Sequence, residues 1–465
     1  MYITTTIPYV NARPHLGHAL ELVQADVLAR HHRRRGEPVR FQTGTDDNSL
    51  KNVLAAEAEG VPVRDLVDRN AAAFEGLRQT LDLSFDSFIR TSSHPGHRAG
   101  VERIWRATAH DLYQRHYEGL YCVGCEQFYP EGPCPDGHEA PLQLVSEQNW
   151  FFRLSRYQDA LLDLIRSGRL TIEPAARRNE VLAFIEAGLD DLSVSRSAAR
   201  ARGWGIPVPG DPGQVVYVWW DALANYVTAL EGDDYDRWWV REPGKVHLMG
   251  KGVIRFHAVY WPAMLLSAGK PPPSAIFVHD YLTANGRKIS KSSGNAADPV
   301  ALVDAYGVDA VRWWLLREVP RVGDADFTEA RLIARADEDL ANGLGNLVNR
   351  VVTMVHRFLD GHVPPAGEPL AEVSPHEALM AFDFRRAALA VWEIVERANK
   401  YVERTRPWQQ DRAGQEASLG TLVHACRELA VQLEPFLPTA AARVAAAVAG
   451  ERLPRPEPLF RRLAG

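Results

Sequence analysis

Long apolar runs are absent from this sequence. No stretch of eighteen apolar residues occurs in its 465 positions, so no segment reads as a membrane-crossing helix. Met1 runs straight into strand-like MYITTTIPYV with no charged-then-apolar leader, which points to a soluble cytoplasmic chain. A surplus of basic charge is absent too. With 53 Lys and Arg against 59 Asp and Glu, the formal net charge is −6, which excludes a global basic face for nucleic acid. Any RNA contact has to use local groups. Cysteine is scarce: four residues, three of them bunched, exclude a secreted disulfide scaffold. The GxxxxGK[ST] loop is missing, which excludes P-loop chemistry, and there is neither an internal repeat nor a long disordered tract.

What is present has a rhythm. Residues 1–112 alternate strands (ITTTIPYV, PVRFQTGTDD, FDSFIRTSS) with helical stretches, the last of them HRAGVERIWRATAHDLYQRH. That is the pattern of an α/β, Rossmann-like, doubly wound parallel sheet. Residues 113–212 break it with aromatic WFFRL and Gly/Pro-rich GWGIPVPGDPG, and read as an insertion. The α/β pattern resumes over 213–285, a lysine loop and its continuation occupy 286–326, and strand signals fade from about residue 327. Apolar residues then recur at helical spacing through 327–465, the mark of a C-terminal helical bundle.

The bunched cysteines lie in the insertion. YCVGCEQFYPEGPCPDGH reads C-x2-C-x8-C-x3-H, with Cys122, Cys125, Cys134 and His138 as ligands. Three thiolates and an imidazole on two tight turns suit one tetrahedral, structural zinc ion. Metal binding would supply much of the folding energy of so small a loop. Cys426, alone in a helical stretch, reads as a small buried hydrophobe.

PHLGHALE places His15 and His18 three residues apart at a helix entry, just after a strand. Such a pair also suits an ordinary helix surface, and two ligands are too few for a closed zinc site. The order strand, loop, histidines, amphipathic helix instead puts both imidazoles where α/β sheets hold phosphate-bearing ligands. Gly17 between them lets a flat group approach the backbone. After AIFVHDYL comes TANGRKISKSSGN: a turn at Asn285-Gly286, then Lys288 and Lys291 among Ser290, Ser292 and Ser293. Hydroxyls and two ammonium groups on a loop suit a mobile phosphate clamp.

HLGH at 15–18 and KISKS at 288–292 resemble the paired signature motifs of class I aminoacyl-tRNA synthetases. The resemblance runs along almost the whole chain and is specific to the methionyl-tRNA synthetase family. TTTIPYVNARPHLGHA, the knuckle, VYVWWDALANY, FHAVYWPAMLLSAG, FVHDYL, GNLVNR and RPW follow that family's order. It implies activation of L-methionine by ATP, with Mg2+ accompanying the nucleotide, then transfer to tRNA(Met). His15, Gly17, His18, Lys288, Ser290 and Lys291 would bind ATP, with both histidines and both lysines catalytic. Ile7, Tyr9, Asp46, Trp219, Leu223, Tyr226 and His279 would hold methionine, Asp46 taking its ammonium. Asn346, Arg350 and Trp408 would read the anticodon by hydrogen bonding and stacking.

Two positions depart from the family. Its D-x-H-G reads Asp46-Asp47-Asn48-Ser49 here, and its GKD reads Gly250-Lys251-Gly252. The second change removes a carboxylate whose usual basic partner matches Arg196. A divergent paralogue, either inhibitor-resistant or an adenylating ligase with another acceptor, would account for both. A non-catalytic tRNA-binding paralogue would not have kept both histidines and both lysines. The chain ends soon after the bundle, without a dimerising extension, and a monomer is expected.

Overall fold

The computed structural model describes residues 1–465 except 123–126, 130–133, 135–141, 285, 290–296, 371 and 464–465, with the backbone alone at 127–129, 287 and 288. The chain forms two compact units, each assembled from separated segments. The first comprises Met1–Pro14, Glu37–Gly76 and Phe85–His279.

At its centre is a six-stranded, wholly parallel sheet. From one edge to the other its strands are Ser87–Arg90, Arg40–Thr45, Tyr2–Thr5, Lys245–Gly250, Ala275–His279 and Thr171–Glu173. The central strands are buried on both faces, so they read as near-continuous β-branched and apolar runs rather than alternating ones. Gly44 is required for close pairing, since a Cβ there would lie 2.1 Å from the carbonyl oxygen of Ile89. The chain leaves Tyr2–Thr5 toward Arg40–Thr45 and returns to its other side at Lys245–Gly250. That reversal marks the topological switch point, at whose carboxyl ends doubly wound sheets bind ligands.

The stretch 113–212 is built differently from its sequence reading in two respects. Leu112–His116, taken as the end of a helix, begins the strand Leu112–Cys122, because the helix stops at Ala107. That strand pairs antiparallel with Gln143–Phe152, from Leu112↔Phe152 to Tyr121↔Gln143; the cysteine cluster falls between them in sequence, largely outside the described residues. Thr171–Glu173 leaves the insertion to become the sixth strand of the main sheet, beside Ala275–Phe277. Phe152, Leu161, Ile165 and Ile172 accordingly share one apolar cluster with Tyr2, Trp220, Trp239, Trp261 and Val278.

The second unit comprises His15–Gly36, Leu77–Ser84 and Asp280–Gly465. It holds the helix Leu16–Arg34 and a small sheet of Arg287–Lys288, Leu282–Ala284 and Ala325–Phe327. Helices alone follow Phe327 among the described residues. The longest are Phe384–Thr405 and Arg412–Leu433. The long helical run expected after residue 330 is three consecutive segments. A π-helical stretch, Ala336–Gly345, joins Glu329–Arg335 to Asn346–Leu359. Cys426 is fully buried, and burial pushes its thiol up to about 12, so it is an inert hydrophobe at neutral pH.

Candidate functional site

In the first unit, a cluster of aromatic side chains lies at the carboxyl ends of the sheet. Tyr9 follows the strand Tyr2–Thr5 and bridges to Asp46, whose backbone N–H donates to Pro8 at 2.9 Å. The Trp219 ring meets Tyr9 edge-on at 6.1 Å and stacks flat on Phe256 at 3.7 Å and 8°. Trp219, Leu223 and Tyr226 stand at i, i+4 and i+7 on the helix Val218–Thr228, and so share a face. His257 donates from Nδ1 to the Val253 carbonyl at 2.9 Å, which leaves Nε2 to accept from the Tyr226 hydroxyl at 2.8 Å. Ile7 is half-buried on the strand exit, and His279 ends the strand Ala275–His279. A soft, unbranched apolar chain suits such walls, because a thioether makes only weak hydrogen bonds and is recognised by shape and ring contact.

Asp46 is 1% exposed and heavily constrained. Its carbonyl accepts from Asn52 Nδ2 at 3.1 Å, and its Oδ1 accepts the backbone N–H of Asn48 at 3.2 Å, an Asx-turn. Neighbouring Asp47 is a structural carboxylate instead. It accepts from Thr45, Ser92 and Arg90, while burial pushes its carboxyl up.

The two departures from the family motifs are absorbed by this framework. Asn48, where an imidazole is usual, donates through Nδ2 to Asp221 Oδ2 at 2.7 Å. Ser49, where glycine is usual, has φ −70° and caps the helix Leu50–Glu59 by accepting from Lys51 N at 3.1 Å, so glycine is not needed. Arg196 is buried, with NH1 donating to Ser193 Oγ at 2.9 Å and to the Ser195 carbonyl at 2.8 Å. Its guanidinium lies 4.3 Å from the Tyr217 ring centroid. Gly252 sits in a short turn after the strand Lys245–Gly250.

Sequence reasoning passed over Asp221 and its partners. His97 Nε2 lies 2.5 Å from Asp221 Oδ1 and His97 Nδ1 2.6 Å from Thr228 Oγ1, all three residues buried. The available signal was Asp221 itself, the one charge within apolar VVYVWWDALANYV, where a carboxylate has to be hydrogen-bonded.

In the second unit, His15 is the N-cap of the helix Leu16–Arg34. Pro14 precedes the cap rather than opening the first turn. The His15 Nδ1 accepts from Gly17 N at 3.1 Å, and His18 Nδ1 accepts from His15 N at 3.1 Å, a reciprocal box built from imidazoles. The rings stack with centroids 3.8 Å apart. A Cβ on Gly17 would approach His15 Cε1 to 2.9 Å, which explains the glycine. Leu282–Ala284 and Arg287–Lys288 form a two-residue hairpin with Gly286 at φ +73°, as the Asn-Gly signal predicts. Asp326 accepts from Gly286 N at 2.8 Å and Thr283 Oγ1 at 2.7 Å, while Ile289 is buried. Lys288 is described by its backbone only, and Ser290 and Lys291 lie outside the described residues.

Asn346 and Arg350 occupy one face of the helix Asn346–Leu359, both reachable by solvent, and Arg350 NH1 lies 3.6 Å from Glu403. Trp408 is 46% exposed on the turn Pro407–Gln409. An indole that open is not core. Of the four residues expected to bind zinc, Cys122 ends a strand and is buried, as is Cys134, whereas Cys125 and His138 lie outside the described residues. Among the described residues no group of three metal-ligating side chains converges.

No helix among the described residues is long and apolar enough to cross a membrane. Residues 1–141 and 137–352 match the family described as tRNA synthetases class I (M). The chain is 39% identical to the methionine–tRNA ligase of Brucella suis, over 99% of this chain and 97% of that one. It is 41% identical to that of Mycobacterium bovis, over 95% and 91%. The Mycobacterium tuberculosis methionyl-tRNA synthetase in complex with methionyl-adenylate superposes with a TM-score of 0.91 at 37% identity, covering 99% of both chains. Its apo form gives 0.83 at 35% identity. With the sheet, the aromatic cluster and the histidine cap already in place, these likenesses leave one reading: the chain belongs to the methionyl-tRNA synthetase family of class I aminoacyl-tRNA synthetases.

Proposed function

We propose that this chain joins methionine to ATP to give methionyl-adenylate and pyrophosphate, then transfers the methionyl group to tRNA(Met), with the following residues in the following roles. The observation that carries this is the buried Asp46, bridged to Tyr9, whose ring belongs to the Tyr9–Trp219–Phe256 aromatic cluster at the sheet's switch point. Asp46 takes the substrate ammonium. Ile7, Tyr9, Trp219, Leu223, Tyr226 and His279 surround the thioether.

The chemical step is in-line attack by the methionine carboxylate on the α-phosphorus, and it needs no protein nucleophile. Catalysis is positioning plus donors aimed at charge that grows on the phosphates. Because each histidine Nδ1 accepts a backbone N–H, the neutral rings carry their proton on Nε2. His15 and His18 therefore present Nε2–H donors to the phosphate chain at a helix N-terminus with no acidic residue in its first turn. Gly17 permits that packing, and Lys288, Ser290 and Lys291 close over the leaving pyrophosphate. Mg2+, when bound with ATP, would neutralise part of the phosphate charge.

The C-x2-C-x8-C-x3-H spacing supports reading the segment between the strands Leu112–Cys122 and Gln143–Phe152 as a zinc knuckle. Cys122, Cys125, Cys134 and His138 would supply the donor set of a tetrahedral Zn2+, whose binding would contribute folding energy to so small a loop. Asn346, Arg350 and Trp408 read the anticodon within a helical domain spanning 327–465. We take the enzyme to be a cytoplasmic monomer with the catalytic fold in 1–112 and 213–285, the connective insertion in 113–212 and the lysine-loop region in 286–326. Methionine-dependent exchange of pyrophosphate into ATP tests the reading. Exchange that needs methionine supports it, and exchange driven equally by another amino acid overturns it.

A further inference from the structure

Four side chains link the two ends of methionine recognition, and neither family motif includes the whole set. Asp46 stands just beyond the strand Arg40–Thr45, and its Oδ1 accepts the Asn48 backbone N–H at 3.2 Å. The Asn48 amide then donates to Asp221 Oδ2 at 2.7 Å. Asp221 occupies the helix Val218–Thr228, two residues after Trp219 and five before Tyr226. Its other oxygen lies 2.5 Å from His97 Nε2, and His97 is fully buried at the start of the helix His97–Ala107. Thr228 Oγ1, 2.6 Å from His97 Nδ1, fixes the remaining ring nitrogen.

We infer that Asn48, Asp221 and His97 are positioning residues that set the Asp46 carboxylate relative to the aromatic wall, so that ammonium and thioether are recognised at one fixed separation. The inference rests on the reading of Asp46 as the ammonium anchor. Its physical basis is that a carboxylate in an Asx-turn follows the residue whose N–H it accepts. Asn48 is not free to move, because its side chain is tied to a buried carboxylate whose second oxygen is tied to a buried imidazole. Asp221 needs both donors, since a buried carboxylate is costly without them. The same bond accounts for asparagine at a position where the family has histidine: either side chain offers an N–H to Asp221.

The test compares methionine with 4-(methylthio)butanoate, which keeps the thioether and carboxylate but lacks the amine, by calorimetric binding to the full chain. Asp46→Asn should abolish the preference for methionine over this analogue. Asn48→Ala should weaken methionine about tenfold or more, the loss of one hydrogen bond's control over a charged contact, and leave the analogue within twofold. Asn48→His should restore methionine affinity. Asp221→Asn, which preserves shape, should reduce the preference as Asn48→Ala does. Equal weakening of both ligands by Asn48→Ala, or failure of Asn48→His to rescue, overturns the relay. If Asp46→Asn keeps the full preference for methionine, the ammonium-anchor reading itself is wrong.

Discussion

His15 and His18 cap one helix end reciprocally, each using its Nδ1 to accept a backbone N–H while their rings stack 3.8 Å apart. The motif is therefore a piece of helix capping whatever its part in catalysis, and the cap fixes which nitrogen of a neutral ring carries the proton. Removing His18 should cost about 1 kcal/mol of cap stability and about 10²–10³ in pyrophosphate exchange, because a preorganised donor is lost. Methionine binding should be little changed. Measured exchange at the wild-type rate would mean the rings are structural only.

Gly17→Ala isolates geometry from chemistry. It removes no donor, but the added Cβ would sit 2.9 Å from His15 Cε1 and displace that ring. A displacement of about 1 Å can cost about 10²-fold in a positioned reaction. Exchange should fall by that order with the fold intact by circular dichroism. An unchanged rate would show that the His15 ring position is not critical.

Trp408 is 46% exposed beside buried Pro407, which suits a stacking platform rather than a core residue. Trp408→Ala should lower aminoacylation of tRNA about tenfold or more, since a stacked base is worth about 1–3 kcal/mol. Pyrophosphate exchange without tRNA should persist. Comparable loss in both assays would assign Trp408 to folding.

Much of this was legible in the sequence, and the failures share a cause. The strands Tyr2–Thr5 and Lys245–Gly250 announce themselves because both faces are buried. The Asn-Gly turn signal is local chemistry, and Gly286, at φ +73° beside the paired Ala284 and Arg287, lies where it was expected. Thr171–Glu173 was not legible: three residues are too few to show a period, and the strand exists because Ala275–Phe277 offers an open edge. Leu112–His116 is polar enough for either state, and pairing with Gln148–Phe152 decides it. The Asn48–Asp221 bond spans 173 positions, beyond any local pattern. Motif resemblance singled out Asp46, Trp219 and Tyr226 but not Asn48, Asp221 and His97, whose bonds join distant parts of the chain.

The zinc reading has a direct check. Cys122 is buried at the end of its strand, so losing its thiolate should open the hairpin tip as well as release the ion. Purified protein should carry about one zinc, and Cys122→Ala should carry none and be cut more readily by protease near residues 123–141. Full stability and activity in a metal-free preparation would remove the knuckle.

Arg312 is fully buried and donates to Asp26 Oδ2 at 2.9 Å and to the carbonyls of Leu81, Pro435 and Phe436. It thereby ties the helix Val308–Arg317 to three separate segments of its unit. Truncation leaves three carbonyls and part of a buried carboxylate without a donor. Arg312→Ala should destabilise by about 3–5 kcal/mol, read as a lower urea midpoint. A change under about 1 kcal/mol would mean that Arg30 and Ser84, which also donate to Asp26, compensate.

His31 gives the unit a pH response whose sign can be worked out. Burial, then the neighbouring His32, His376, Arg35 and Arg34, lower its pKa from the ordinary 6.5 to about 4. Its Nε2 lies 3.0 Å from His376 Nδ1, so one neutral ring donates to the other, a bond that protonating both would break. Since the folded pKa lies below the unfolded one, the unfolded chain takes up the proton first on acidification. The stability contributed by neutral His31 is complete above about 6.5 and drains away as the pH falls toward about 4. Carboxylates respond in the same direction, so wild type alone does not isolate the effect. His31→Gln keeps a polar side chain but cannot titrate. Its urea midpoint should fall less than that of wild type between pH 7 and pH 5, although it starts lower at pH 7. Parallel losses in the two proteins would show that His31 does not govern the acid response.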